Sequence, residues 1–239
     1  MSDTDRRVTL CVTMGNRPDL LRRTLESLLA HNRFDDVVAV NDFGDEATNA
    51  VFRAVCPTGR LVSPGEKLGH HGAVDRMYET VTTPYVFHCE DDWLFEPRPL
   101  LDTCFRLLDA VPRVAGVCVR SSKDCRRIWN LTGQGEADGL TYRFFNDEEA
   151  DWGGFGFNPN LQRLELWKTH GPWSRFRQEV HISRALNAEG LRYIYATPGF
   201  CRHIGKNHSV SRMTTVERLR RSLQKRWPQI FGLPDPNRE

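Results

Sequence analysis

The strongest constraint on the fold is an alternation, running from Val8 to Val119, between short apolar or β-branched runs and segments whose apolar residues recur at helical spacing. Val8 to Thr13 reads as a buried strand that stops at the turn formers Gly15 and Asn16. Pro18 suits a first helical position, and Leu20, Leu21, Leu25, Leu28 and Leu29 mark a helix that breaks at His31-Asn32. A strand over 37–40 closes on Asn41-Asp42. A helix at 46–55, a strand at 60–62, a helix at about 72–81 and a strand at 85–89 follow. A helix over 97–110, with Pro99 at its start, and a strand over 114–119 continue the series. Strand and helix in alternation require crossover connections, which predicts an α/β chain with a mostly parallel central sheet flanked by helices.

Beyond Val119 the pattern loosens. Gly133, Gly135, Gly139 and the run from Asp151 to Pro159 have the composition of mobile binding loops, where ligand recognition is expected. A helix over about 179–189 ending at Gly190, and a strand over 193–196, precede a loop that carries His203.

A chain of 239 residues suits one core with a tail, read here as a domain over 1–215 and a basic amphipathic helix and tail over 216–239. The net charge of +2, from 33 basic and 31 acidic residues, argues against a global pull toward nucleic acid or membranes, so any electrostatic function is local. No apolar run approaches the roughly 20 residues of a transmembrane helix, and the polar start from Met1 to Arg7 lacks a signal-peptide core. Cytoplasmic residence is the resulting expectation. The seven cysteines are scattered without metal-site or disulfide spacing and read as reduced and mostly structural.

Ligands of parallel sheets bind at the carboxyl ends of strands, here Thr13 to Arg17, Asn41 to Gly44 and Glu90 to Trp93. Three consecutive carboxylates, Glu90-Asp91-Asp92, are costly to crowd unless they share a cation. A hard divalent ion such as Mg²⁺ or Mn²⁺ would take their oxygens and keep positions open for phosphate. The plainer reading is a solvated acidic turn.

In this order the pieces resemble the GT-A-fold glycosyltransferases, especially the family-2-like inverting group, over roughly residues 8 to 210. Asn16-Arg17-Pro18-Asp19-Leu20 resembles that group's first strand-to-helix junction, and Glu90-Asp91-Asp92 its D-x-D-type motif. The resemblance implies a GT-A-type nucleotide-binding sandwich and a nucleotide-sugar donor lying along Thr13, Asn16, Arg17, Asp42, His71, Asp75, Glu90 and Asp91. Asp42 falls where an aspartate commonly reads the base, although Asn41-Asp42-Phe43-Gly44 departs from the usual pair of aspartates. A helix cap before Glu46 is the other reading of Asp42. Gly69 to Asp75 resembles the stretch that crosses the nucleotide, and Asp75 stands where asparagine is common. Arg202 to Ser209 resembles the loop that supplies a histidine to the metal, which makes Asp92 and His203 the expected ligands and His208 the weaker candidate.

The catalytic base implied by the resemblance is Glu179, at the start of a helix, with Val180 where a second acid is frequent and Asp151 in reserve. Trp152 and Trp173 offer flat faces for sugar rings or belong to the core. The tail, with Val216, Leu219, Leu223 and Trp227 among arginines and lysines, either packs on the domain or makes a peripheral contact with an anionic membrane surface or polyanion. The expected activity is transfer of a sugar, UDP-linked, to a hydroxyl of a glycan, lipid-linked or other acceptor with Mn²⁺ or Mg²⁺ assistance. A sugar-nucleotide nucleotidylyltransferase, and a non-catalytic glycan- or nucleic-acid-binding module, are the alternatives.

Overall fold

The computed structural model describes residues 5–121, 132–145 and 154–205. Cys125, Asp151, Trp152, His208 and the tail from Val216, with the expectations placed on them, lie outside the described residues.

The chain begins as its sequence pattern predicts. Strand β1 (Val8–Met14) is buried along its whole length. Helix α1 (Pro18–Leu29) packs Leu21, Leu25 and Leu28 inward, one face of a 3.6-residue period. Strand β2 (Asp36–Asn41), helix α2 (Glu46–Val55) and strand β3 (Arg60–Val62) follow, then helix α3 (Gly69–Tyr78) and strand β4 (Tyr85–Glu90). Helix α3 starts three residues earlier than the periodicity suggests. The reason is long-range, because the Asp42 carboxylate accepts hydrogen bonds from the Leu68 and Gly69 amides at 2.7 and 2.9 Å and satisfies the helix start. Helix α4 (Leu101–Ala110) instead starts later than expected, after both Pro97 and Pro99, where Asn32 Oδ1 accepts from the Leu100 amide at 2.9 Å.

The second half is more regular than its composition suggests. Strand β5 (Trp93–Phe95) leaves the acidic turn directly, ahead of α4. Strand β6 (Val114–Cys118) leads to a hairpin of β7 (Thr132–Ala137) and β8 (Leu140–Phe145), turned at Asp138-Gly139 with φ of 50° and 68°. Strand β9 (Asn160–Arg163), helix α5 (Leu164–His170), a 3-10 turn (Trp173–Arg175), helix α6 (Glu179–Ala188) and strand β10 (Arg192–Thr197) complete the main body.

The nine-stranded sheet has the order β3-β2-β1-β4-β9-β6-β10-β8-β7. Only β9 and β8 run against the others, so the sheet is mostly parallel, as expected. One core lies beneath α1, α2 and α4, with Leu21, Leu25, Phe52, Leu107 and Phe87 in it. The other lies beneath α3, α5 and α6, with Val74, Met77, Leu164, Ile182 and Val86. Phe87 and Val86, adjacent on β4, point to opposite cores as strand alternation requires. Trp173 is fully buried in the second core, which settles its two readings in favour of packing. The six described cysteines are buried. Among the described residues no helix is long and apolar enough to cross a membrane.

A small second sheet joins the acidic turn to the end of the described chain. Strand β5 pairs antiparallel with β11 (Cys201–His203), so that His203 faces Trp93.

Candidate active site

The parallel register sets Thr13 beside both Val40 and Glu90, which gathers the carboxyl ends of β1, β2 and β4 into one edge. Thr13 contributes a buried hydroxyl without a partner there. After β1 the chain turns at Gly15, whose amide donates to Asp91 Oδ2 at 3.0 Å. A side chain at Gly15 would collide with the Phe43 ring, with a Cβ placed 3.0 Å from Cγ. Asn16 adopts φ 56°, and its amide donates to Asp45 Oδ2 at 2.7 Å. Asp45 also caps α2 through the Thr48 amide at 2.9 Å. The cap before Glu46 is therefore Asp45, while Asp42 binds the entrance of α3.

The turn brings Arg17 onto the acidic cluster. Its guanidinium donates to Asp91 through Nη2 and to Asp92 Oδ2 through Nη1, the latter at 2.5 Å. His203 Nε2 approaches the same Asp92 oxygen at 3.1 Å, although 111 residues separate the two in sequence. The β5–β11 pairing explains the meeting, and the Ile204 amide donates to the Asp92 carbonyl at 2.9 Å to close the loop over the turn. Gly205 then crosses so near that a Cβ there would stand 2.7 Å from Asp92 Cβ. Asp92 Oδ1 remains buried with no partner.

Three acids share the edge, and their surroundings differ. Burial pushes the Glu90 carboxyl up to about 8, with the Asp92 and Glu179 charges adding to the effect. Burial also raises Asp91, to about 6, against the opposing pull of Arg17. Asp92 ends below the usual range: burial works to raise it, but its bonds with His203 and Arg17 outweigh that.

Glu179 is the first residue of α6 and half-buried; its carboxyl is raised by burial, partly offset by a hydrogen bond from the Phe157 amide and by nearby His71. His71 presents Nδ1 to the Phe176 carbonyl at 2.8 Å, so this nitrogen donates. Glu90, Glu179 and His71 thus form one neighbourhood beside the Arg17, Asp91, Asp92 and His203 cluster.

Asp75 stands apart. Its Oδ1 accepts from Trp167 Nε1 and from the Trp173 amide, each at 2.7 Å, and its Oδ2 accepts from the Ser174 amide at 2.8 Å. With 6% exposure it anchors the segment between α5 and α6 to α3, and both oxygens are committed to that task.

The structure adds residues that sequence reasoning passed over. Trp93 Nε1 donates to Glu90 Oε2 at 3.3 Å, while its ring lies 5.1 Å from that of His203. Arg120, just past β6, sets its guanidinium 5.3 Å from the Trp93 ring centre and donates to Asn158 Oδ1 at 3.2 Å. Phe43 is one of two exposed large apolar residues among those described and lies beneath the Lys67 ammonium at 4.5 Å. Trp93 was within reach of sequence reasoning because it follows the acidic turn directly. Arg120 had no local signal.

The donor set suits a hard divalent ion in part. Two ligands at about 2.1 Å from one ion and at right angles lie about 3 Å apart, which matches the Asp92 and His203 separation. The unspent Asp92 Oδ1 is a further oxygen. Among the described residues no group of three or more His, Cys, Asp or Glu converges as a complete metal site, so phosphate or water oxygens would have to fill the remaining positions.

Solved structures share this architecture at low identity. A Pyrobaculum calidifontis mannosyltransferase in complex with GDP-Man and Mn²⁺ matches 95% of this chain with a TM-score of 0.62 and 20% identity. Residues 1–349 of S. aureus TarS match 83% of it with a TM-score of 0.57 and 12% identity. The chain spans 65% and 60% of those two chains. No curated protein matches the sequence. The model of glycosyl transferase family 2 matches residues 9–178, which include β1 from Thr9 onward, the acidic turn and the approach to Glu179. The chain belongs to glycosyl transferase family 2, on a GT-A fold.

Proposed function

We propose that the protein transfers a sugar from a nucleoside-diphosphate donor to an acceptor hydroxyl, with a divalent ion held by Asp92 and His203 and with inversion at the anomeric carbon. The observation that carries this reading is the junction of Asp92, His203 and Arg17 at the strand ends, with the half-buried Glu179 close enough to raise Glu90. The ion, when bound, offsets negative charge that develops on the departing diphosphate. The Mn²⁺ and GDP-Man of the Pyrobaculum mannosyltransferase support a donor of this class.

Thr13, Asn16, Arg17, Asp42 and His71 line the donor side, with a uridine diphosphate sugar the first to test. Asp75 is left out of that surface because it is buried with both oxygens engaged, whereas Asp42, engaged at the start of α3, stays part-exposed. Glu179 takes the proton of the acceptor hydroxyl as that oxygen attacks the anomeric carbon from the side opposite the diphosphate. Its burial suits the role, since a carboxyl raised from its usual range is a stronger base once ionised. Glycans, lipid-linked glycans and other hydroxyl compounds are the acceptor classes.

A panel of nucleotide sugars, followed by thermal shift with and without Mn²⁺ and by release of nucleoside diphosphate, tests the reading. One donor class should stabilise the protein in a metal-dependent way. Glu179→Gln should lower turnover at least a hundredfold and leave donor affinity within about twofold. Pyrophosphate release from a nucleoside triphosphate and a sugar phosphate, or undiminished turnover in Glu179→Gln, would refute it.

A further inference from the structure

Arg17, on the donor side of the site, is engaged by the acidic turn. Its guanidinium spans both aspartates of the turn, and on Asp92 it shares Oδ2 with His203. The Arg17 side chain is 18% exposed, against 0% and 6% for Asp91 and Asp92, so this ion pair is largely withdrawn from water. Two aspartates left there without a cation would carry a penalty of several kcal/mol. Yet the fit is incomplete, because Arg17 Nε and Asp92 Oδ1 are both buried without a partner. An arginine settled permanently on a carboxylate commonly uses a two-pronged fork on one residue. Here the fork is split between two residues and one donor is idle, beside the oxygen and imidazole that fit a divalent ion.

Charge balance turns this geometry into a sequence of states. One guanidinium against two carboxylates leaves the metal-free cluster with a residual negative charge, which favours an arriving cation. A divalent ion on Asp92 would stand within a few ångströms of that guanidinium, and like charges at such range repel strongly in a site with little water. The two cations compete for Oδ2. Arg17 sits at the junction between β1 and α1, with no hydrogen bond from its side chain to α1, and its contacts with the aspartates hold it inward.

We infer that Arg17 is an exchangeable counter-ion: it offsets part of the charge of Asp91 and Asp92 in the metal-free protein, and it gives up Asp92 Oδ2 to the arriving divalent ion. The released guanidinium then pairs with the donor diphosphate. No covalent bond changes; one cation replaces another on the carboxylates and a third charge, the diphosphate, receives the displaced one. The inference rests on the donor and metal reading of the site, and it adds an ordering, since metal and donor load together because each relieves a charge that the other leaves.

The test compares wild-type protein with Arg17→Gln and Arg17→Lys. Mn²⁺ is titrated without nucleotide, following free Mn²⁺ by its electron paramagnetic resonance signal. Uridine and guanosine diphosphate are then titrated at saturating Mn²⁺ by calorimetry. Arg17→Gln should bind Mn²⁺ at least tenfold more tightly and its diphosphate at least tenfold more weakly, two changes of opposite sign. Arg17→Lys, which keeps the charge but cannot span both aspartates, should move both constants in the same directions by less, and it decides the matter if Arg17→Gln does not fold. Unchanged or weaker Mn²⁺ binding would overturn the exchange. So would unchanged or tighter diphosphate binding, which means that the guanidinium stays on the aspartates. Wild-type protein that binds a diphosphate without any dependence on Mn²⁺ would sink the exchange and the metal's part in the reaction but leave sugar transfer itself standing, whereas failure to bind either diphosphate under all conditions would remove both.

Discussion

Replacing Asp75 by asparagine separates a structural anchor from a donor contact. The carboxylate receives three hydrogen bonds in a site that is 6% exposed, two on Oδ1 and one on Oδ2. Asparagine keeps one acceptor oxygen, and the Trp167 indole and Trp173 amide will hold it on the Oδ1 side. Its amide nitrogen then faces the Ser174 N–H, donor against donor. Hydrogen bonds to a buried charge contribute about 1.5–3 kcal/mol each, so losing one and weakening two should cost about 3 kcal/mol. With a urea dependence of about 2 kcal/mol/M, the unfolding midpoint should fall by roughly 1.5 M at unchanged slope. The folded variant should still bind nucleoside diphosphate within about twofold of wild type. An unfolding midpoint within about 0.2 M of wild type, together with a tenfold loss of nucleotide affinity, would refute the anchoring role and return Asp75 to the donor surface.

Other perturbations read the acidic edge. Because burial raises the Glu90 carboxyl from 4.5 to about 8, its ionised form is disfavoured in the fold, and it should weaken wild-type stability as pH climbs through that interval. Glu90 keeps some contact with water, so the full shift is discounted to about 2 kcal/mol between pH 5 and 8.5. Thermal melts of metal-free Glu90→Gln should lack that decline, and parallel profiles for the two proteins would contradict the argument. Gly205→Ala should push the loop off Asp92, separate it from His203 and weaken Mn²⁺-dependent nucleotide binding at least tenfold, as measured by calorimetry. Retention of wild-type Mn²⁺ affinity would show that the loop accommodates a methyl group without moving His203.

The first half of the fold was legible because each element there carries its own signal. Leu21, Leu25 and Leu28 spell a helical face, and β1 is a run of buried residues bounded by Gly15. The elements that escaped depend on distant partners. Asn160-Leu161-Gln162-Arg163 has a single strongly apolar residue and reads as loop, yet it is strand β9, in the middle of the sheet. Its polar residues are tolerated there because Gln162 donates to the Tyr78 hydroxyl at 2.9 Å and accepts from Tyr193, and Asn160 donates to the Asn158 carbonyl at 2.8 Å. The hairpin β7–β8 did carry a local sign in Asp138-Gly139, but the surrounding glycines masked it. In the site, residue types and the family resemblance named Asp92 and His203, which the structure places 3.1 Å apart. They could not reveal that Asp42 serves α3, that Asp75 is wholly engaged or that Arg17 bridges the two aspartates, since each depends on a contact with no counterpart in local sequence.

Strand β9 also works as a spacer. Without it, β4 and β6 would be neighbours about 4.8 Å apart; with it, their carboxyl ends stand roughly twice that distance from each other. One bank of the resulting gap carries the acidic turn and the other leads to Arg120, while Asn158, on the approach to β9, reaches Arg120 from between them. Since β9 runs the other way, it enters the sheet at this gap rather than leaving from it, so the gap's floor is an incoming chain anchored by the ladders on both sides. The width between the banks is therefore set by backbone hydrogen bonds, and side-chain changes on either bank should leave that span unaltered.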